Sequence, residues 1–122
     1  KYPVVFGANQ QDDKIQDGDY CTPEGSFNIS MKYPHKKWSK FMWIDYPNPA
    51  STKKFLAAKK SGAIPANATI GGEIGIHGVP NGCNLFIPFR YNWTQGCISM
   101  RTQDVNDLYT AVIPGTVVTI IK

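Results

Sequence analysis

The sequence is short of several things, and each shortage excludes a class of protein. No run approaches the ~18 apolar residues that read as a membrane-spanning helix, and no stretch reads as a secretory leader. Histidine occurs twice, as His35 and His77, and cysteine three times, as Cys21, Cys83 and Cys97. Zinc sites gather Cys and His more tightly than these spacings do. No metal site is therefore expected, and nothing in the chain calls for a cofactor. Repeats and low-complexity segments are also missing. The formal net charge is only +4, and it forms no stripe. The largest basic cluster, Lys32, Lys36, Lys37 and Lys40, falls in what reads as one loop. Nucleic-acid binding would prefer a dense basic face with a recognisable motif, so no nucleic-acid partner is expected. A modest positive charge favours an acidic partner or surface, with an attraction that salt weakens.

At 122 residues with 42% hydrophobic content, the chain is one domain, residues 1–122, with enough apolar mass for one core. Its pattern is mostly β. Tyr2–Phe6 is a short apolar run. Gly25–Met31 alternates, with Phe27, Ile29 and Met31 on one face. Lys40–Tyr46 is dense enough for a strand covered on both sides. Asn48-Pro49 opens a helix as N-cap and first helical residue. That helix is expected to end near Ser61-Gly62, with Phe55 and Leu56 as its anchors. Ile70–His77 reads as a strand. A second helix starts near Thr102, because Val105, Leu108, Tyr109 and Val112 share one helical face. Thr116–Ile121 alternates as a last strand. The expected fold is a curved β sandwich or open barrel with two flanking helices. Val79–Tyr91 reads as an excursion that covers the core or forms a flap. His35 reads as exposed loop.

The candidate chemistry lies at His77-Gly78 and Thr94-Gln95-Gly96-Cys97. His77 ends an apolar strand, and Cys97 follows it by twenty residues. A cysteine becomes a strong nucleophile as a thiolate, and a neighbouring imidazole is the usual means. An oxyanion formed on attack needs donors, and the backbone amides around Cys97, Gly96 and Gln95 are candidates. Trp93 and Tyr91 are candidate cleft walls, and Arg101 could hold a carboxylate through two bonds. Plain alternatives stand beside each: Trp93 as core, Arg101 as surface charge. Cys21 and Cys83 either pair as a disulfide or stay free. Three glycosylation sequons occur, at Asn28, Asn67 and Asn92, and a glycan on Asn92 would crowd the site.

The words around these residues resemble those of the L,D-transpeptidase catalytic domain (YkuD) family. Gly18-Asp19-Tyr20-Cys21-Thr22-Pro23-Glu24-Gly25 is similar to its Gly-Asp-x-x-Thr-Pro-Glu-Gly turn. Asp45-Tyr46-Pro47-Asn48 is similar to its Tyr-Pro-Asn segment. Ile76-His77-Gly78 and Trp93-Thr94-Gln95-Gly96-Cys97-Ile98 resemble its histidine and Ser/Thr-x-Gly-Cys signature. The commoner signature has histidine where Gln95 stands, so the chain looks like a branch with a Trp-Thr-x-Gly-Cys-Ile pattern.

The resemblance implies an L,D-transpeptidase fold and a peptidoglycan stem peptide as substrate. Cys97 would be the nucleophile and His77 its base. Gly96, Gln95 and Thr94 would orient the site, with Gly78, Trp93, Tyr91 and Arg101 at the substrate. The thiolate would take the acyl group of the third stem residue, a diamino acid, and expel the terminal D-alanine. The acceptor would be another stem's amine, a lysine of a wall-anchored protein, or water, which makes the enzyme an L,D-carboxypeptidase or amidase. A vestigial wall-binding module is the rival from another class. The resemblance further implies a bacterial protein of the periplasm or exterior, associated with the wall, with a strand preceding Lys1.

Overall fold

In the computed structural model, which describes residues 1–122, six strands and two helices follow one another. They are β1 (Val4–Val5), β2 (Gly25–His35), β3 (Ser39–Ile44), α1 (Pro49–Ser61), β4 (Gly75–Gly78), β5 (Ile98–Met100), α2 (Thr102–Ala111) and β6 (Val117–Ile120). The strands make one sheet in the order β1-β5-β4-β3-β2-β6. All neighbours are antiparallel except β4 and β5. The long β2 serves both halves: Gly25–Asn28 pairs with β6, and Ile29–His35 pairs with β3. The register shifts between Ile29 and Met31, so Ser30 acts as a bulge that bends the strand. The fold is mainly β, an open half-barrel built from one curled sheet with two helices.

The bulge corrects one expectation. Phe27 and Ile29 are buried, but Met31 is 52% exposed. One extra residue sends every later side chain of β2 to the opposite face. It also carries the strand to His35 and so removes the expected loop at Lys32–Lys37; the connection to β3 is a tight turn. His35 is half-buried, and its ring stacks on Trp38 at 4.5 Å.

The main core packs Ile29, Met42, Ile44, Ile76, Ile98 and Met100 of the sheet against Val105 and Val112. The four apolar residues assigned to one face of α2 pack together here, Leu108 and Tyr109 at the edge. The α1 helix begins as its sequence dictates. Asn48 Oδ1 accepts from Ser51 N at 2.9 Å, Ser51 Oγ accepts from Asn48 N at 2.7 Å, and Pro49 follows the cap. Gly62, at φ 78°, ends it with its N–H on the Ala58 and Lys59 carbonyls. Leu56 is not an anchor, being 58% exposed. Adjacent helical positions diverge by about 100°, so Phe55 is joined by Ala58, three residues on, and both pack against Ile64.

The strand expected over Ile70–His77 is shorter, because Gly71 (φ 79°) and Glu73 (φ 57°) take left-handed conformations that interrupt a ladder. The excursion after β4 divides in two. Val79 and Ile87 are buried with Val5, while Leu85 and Phe89 stand exposed.

The cap at Asn48 gives a stability test. Asn48→Ala removes the side-chain bond to Ser51 N, leaves the backbone bond to Ser51 Oγ, and should cost ~1 kcal/mol, lowering the melting temperature by roughly 3–6 °C. A thermal scan by circular dichroism checks this. An unchanged midpoint would show that packing of Phe55, not the cap, fixes the helix start.

Candidate active site

The loop that carries Cys97 is built by close backbone contact. Gly96 has φ 149°, and a Cβ there would lie 2.8 Å from the Cys21 carbonyl oxygen and 2.8 Å from Ile74 Cδ1. Only glycine fits such a position. Thr94, 3% exposed, closes the loop from within: its hydroxyl donates to the Cys97 carbonyl at 2.6 Å and accepts from Gly96 N at 3.3 Å. The wall that Gly96 touches is held by Asp19 and Thr22. Asp19 accepts from the amides of Ile15, Gln16 and Cys21 and from Lys14 Nζ at 2.9 Å. Burial alone would raise the Asp19 carboxyl; the Lys14 ammonium and the amides outweigh it and hold the group below its usual range. Thr22 Oγ1 accepts from Gly7 N at 2.9 Å.

Strand register sets the partners. In the parallel β4–β5 pair, His77 lies beside Ser99 and Ile76 beside Ile98. Side chains alternate along a strand. Ile76 and Ile98 therefore enter the core, while His77 and Cys97, the residue before β5, face the other side. There His77 and Cys97 line one cleft of about 680 Å³. His77 is 1% exposed and boxed by rings: Trp38 stacks on it at 4.1 Å, Phe41 at 5.6 Å, and Trp93 meets it edge-on at 5.5 Å. Its Nδ1 lies 2.7 Å from the Gly78 carbonyl oxygen. A carbonyl only accepts, so Nδ1 carries the proton and Nε2 keeps a free lone pair. The Cys97 thiol donates to the Glu73 carbonyl at 3.4 Å.

Burial pushes the His77 imidazole down to about 4, against the opposing pull of its bond to Gly78. Burial pushes the Cys97 thiol up to about 11, although a backbone bond from Gly75 favours the thiolate. At neutral pH the resting pair is a thiol and a neutral imidazole, not an ion pair.

The other expected site residues separate. Gln95 is exposed at the cleft, and its side chain makes no hydrogen bond. The amides of Gln95 and Cys97 are unbonded, whereas Gly96 N–H is committed to Thr94. Trp93 lines the cleft and also packs on Val79 and Ile87, so it is both wall and core; its buried Nε1 has no partner. Gly78 works from beneath through its carbonyl, and a Cβ on it would meet the Trp38 carbonyl oxygen at 2.4 Å. Tyr91 does not wall the cleft: it is 56% exposed and leans on Phe86 at 4.9 Å. Arg101 also lies outside the cleft lining, with its Nε on Asp104 at 2.7 Å. Cys21, Cys83 and Cys97 are all free thiols. Sequence reasoning missed Trp38, Phe41, Glu73, Lys14 and His35 as cleft residues. The alternation of Tyr33 and His35, and of Phe41 and Trp43, was the available signal. The bulge hid which face the first pair takes, and a run apolar on both faces hid it for the second.

The raised thiol gives a pH test. Below its pKa the thiolate fraction climbs tenfold per unit, so alkylation of Cys97 by iodoacetamide should keep rising by about that factor from pH 7 to 10. Peptide mapping by mass spectrometry separates it from Cys21 and Cys83. A plateau below pH 9 would show instead a thiolate stabilised at rest.

Several solved structures share this fold. The helical cell shape determining protein Pgp2 from Campylobacter jejuni superposes with a TM-score of 0.67 at 22% identity, over 95% of this chain and 36% of that one. Bd1075 of Bdellovibrio bacteriovorus gives 0.63 at 20% identity, over 98% and 37%. An L,D-transpeptidase from Mycobacterium smegmatis gives 0.53 at 18%, over 100% and 48%. The chain thus spans between a third and a half of the length of these structures, and at such identities they share its fold. No curated protein sequence matches it. The model of the YkuD family, the L,D-transpeptidase catalytic domain, matches residues 1–120, and the chain belongs to that family.

Proposed function

We propose that this chain is a cysteine acyltransferase that acts on peptidoglycan stem peptides by L,D-transpeptidation. Family membership supports a peptidoglycan-related function. The observation that carries the finer reading is the His77 tautomer: with Nδ1–H held by Gly78, Nε2 is left as a base in the cleft that Cys97 lines.

Nε2 takes the thiol proton as Cys97 Sγ attacks the carbonyl of the third stem residue. The unbonded amides of Gln95 and Cys97 receive the oxyanion, a role for which the bonded Gly96 amide is less free. The imidazolium then returns its proton to the leaving D-alanine nitrogen, and a thioester remains. An acceptor amine attacks the thioester, gives a proton to Nε2, and the thiol is restored. Water in place of the amine yields the carboxypeptidase outcome. Charge separation between a high-pKa thiol and a low-pKa imidazole is unfavourable at rest. Proton transfer is therefore coupled to attack, with the oxyanion donors balancing it. A wall-facing compartment follows from this substrate, and no helix of the chain is long and apolar enough to cross a membrane.

Incubation with a disaccharide-tetrapeptide, read by mass spectrometry, tests the reading. Loss of D-alanine with a crosslinked product is expected. Cys97→Ala should abolish turnover, and His77→Ala should slow it by roughly two to four orders of magnitude. A carbapenem should add once to the protein and not to Cys97→Ala. Wild-type turnover by Cys97→Ala would overturn the assignment.

Gln95 offers a separate check. Its side chain is unbonded, and its contribution is its backbone amide. Gln95→Ala and Gln95→His should both turn over within about threefold of wild type, since the proposed donor survives either change. A loss of a hundredfold in Gln95→Ala would move the side-chain amide into the chemistry.

A further inference from the structure

The cleft extends well beyond the thiol, over the β2–β3 hairpin. Register places side chains in two rows on this outer face. One row runs His77, Phe41, Tyr33 across β4, β3 and β2. The next runs Gly75, Trp43, Met31, with Cys97 one step before the Ile76–Ile98 pair that follows Gly75. Gly75 has no side chain, and a Cβ there would strike Phe41 Cε1 at 2.4 Å. The Phe41 ring therefore lies over Gly75 and forms the floor between Cys97 and Trp43. It begins a continuous aromatic surface. Phe41 is 5.1 Å from Trp43 and stacks on Tyr33 at 5.9 Å. Trp43 Nε1 donates to the Tyr33 hydroxyl at 2.9 Å, which fixes the indole and leaves the phenol proton free to donate outward.

We propose that Trp43 and Tyr33 form a subsite for a pyranose ring at the sugar end of the donor peptide; this rests on the stem-peptide reading above. Three features point to a neutral sugar. The first is charge. The ammonium and carboxylates lining the cleft, Lys14, Asp17 and Glu73, come from the loops before β2 and β4, and none from β2 or β3. A cationic side chain would find no counter-charge on the platform. The second is ring electrostatics. Aromatic faces are negative, and the axial C–H groups of a pyranose are weakly positive, so they stack, while hydroxyls meet the Tyr33 phenol at the edge. The third is reach. Strands lie ~4.8 Å apart, so Trp43 and Tyr33 sit ~10–14 Å across the sheet from the β5 row. Three extended residues cover ~10 Å, the distance from the reacting carbonyl back to the sugar-linked end of the stem.

The test uses binding, so it does not depend on turnover. In Cys97→Ala, titrate disaccharide-tetrapeptide, free tetrapeptide and the peptide-free disaccharide, following the Trp43 indole N–H signal by NMR. The glycosylated peptide should bind about tenfold more tightly than the free one, and the disaccharide alone should shift the Trp43 signal. Adding Trp43→Leu should erase most of that preference. Tyr33→Phe, which keeps the ring, should reduce it partly and serves if Trp43→Leu does not fold. Equal affinity for both peptides, or a preference that survives both variants, overturns the subsite. So does a Trp43 signal that answers the free peptide but not the disaccharide. Failure of the acyl-transfer reading would appear elsewhere, as a missing D-alanine product or carbapenem adduct, with these binding results intact.

Discussion

The parallel pairing of β4 with β5 is the constraint from which the site follows. Every other neighbour in the sheet is antiparallel. Parallel neighbours need a long crossover, because the chain must return to the same end of the sheet before it pairs again. Residues 79–97 are that crossover, and they explain why the candidate base and nucleophile stand twenty positions apart. The pairing also decides the geometry. Ile76 and Ile98 point into the core together, so His77 and the approach to β5 must share the opposite face. The thiol and imidazole line one cleft because the sheet has this register.

The register could not hold Cys97 without the glycine and threonine beside it. Gly96 lets the Cys21 carbonyl close on the loop, and Thr94 bridges the loop's own backbone. Asp19, Thr22 and Asn48, which lie in two of the segments that resemble the family, touch no candidate reacting atom. They bind backbone: loop amides at Asp19, Gly7 at Thr22 and the α1 start at Asn48. What looks like a functional signature is in large part the means of holding one loop against another. The aromatic box around His77 serves a related end. It excludes water and keeps the imidazole neutral, the form able to accept a proton.

Much of this was legible in the sequence, and the failures have one physical root. The Asn48-Pro49 start, the Gly62 stop and the apolar face of α2 follow local rules, and they appear as expected. The pairing of His77 with Cys97 in one cleft was also readable from the motif. Tyr91 and Arg101 were misplaced because nearness in sequence to Cys97 does not set direction: Tyr91 turns away within the crossover, and Arg101 lies past β5 at the start of α2. Leu56 was misjudged because two adjacent apolar residues cannot both face inward from a helix. The largest miss was the cleft floor: its β2 half, Tyr33 and His35, was lost at Ser30, and its β3 half, Phe41 and Trp43, because a run apolar on both faces does not say which face lines a cleft. A period-two pattern holds only while the register is unbroken, and nothing in Phe27-Asn28-Ile29-Ser30-Met31 marks where it breaks.

The same bulge makes β2 a strand whose two halves answer to different solvents. Before Ser30, Phe27 and Ile29 lie in the core; after it, Tyr33 and His35 line the cleft and Met31 stands exposed, while Lys32 turns to the helix side and donates to the Tyr109 carbonyl at 2.7 Å. Reading frame in the pleat therefore carries information as it does in a gene. A deletion of one residue at position 30 would leave the composition of the strand nearly intact yet invert the meaning of every letter after it, sending the aromatic rings inward and an ammonium into the cleft. Length, at this one place, is as much a part of the cleft's chemistry as any side chain.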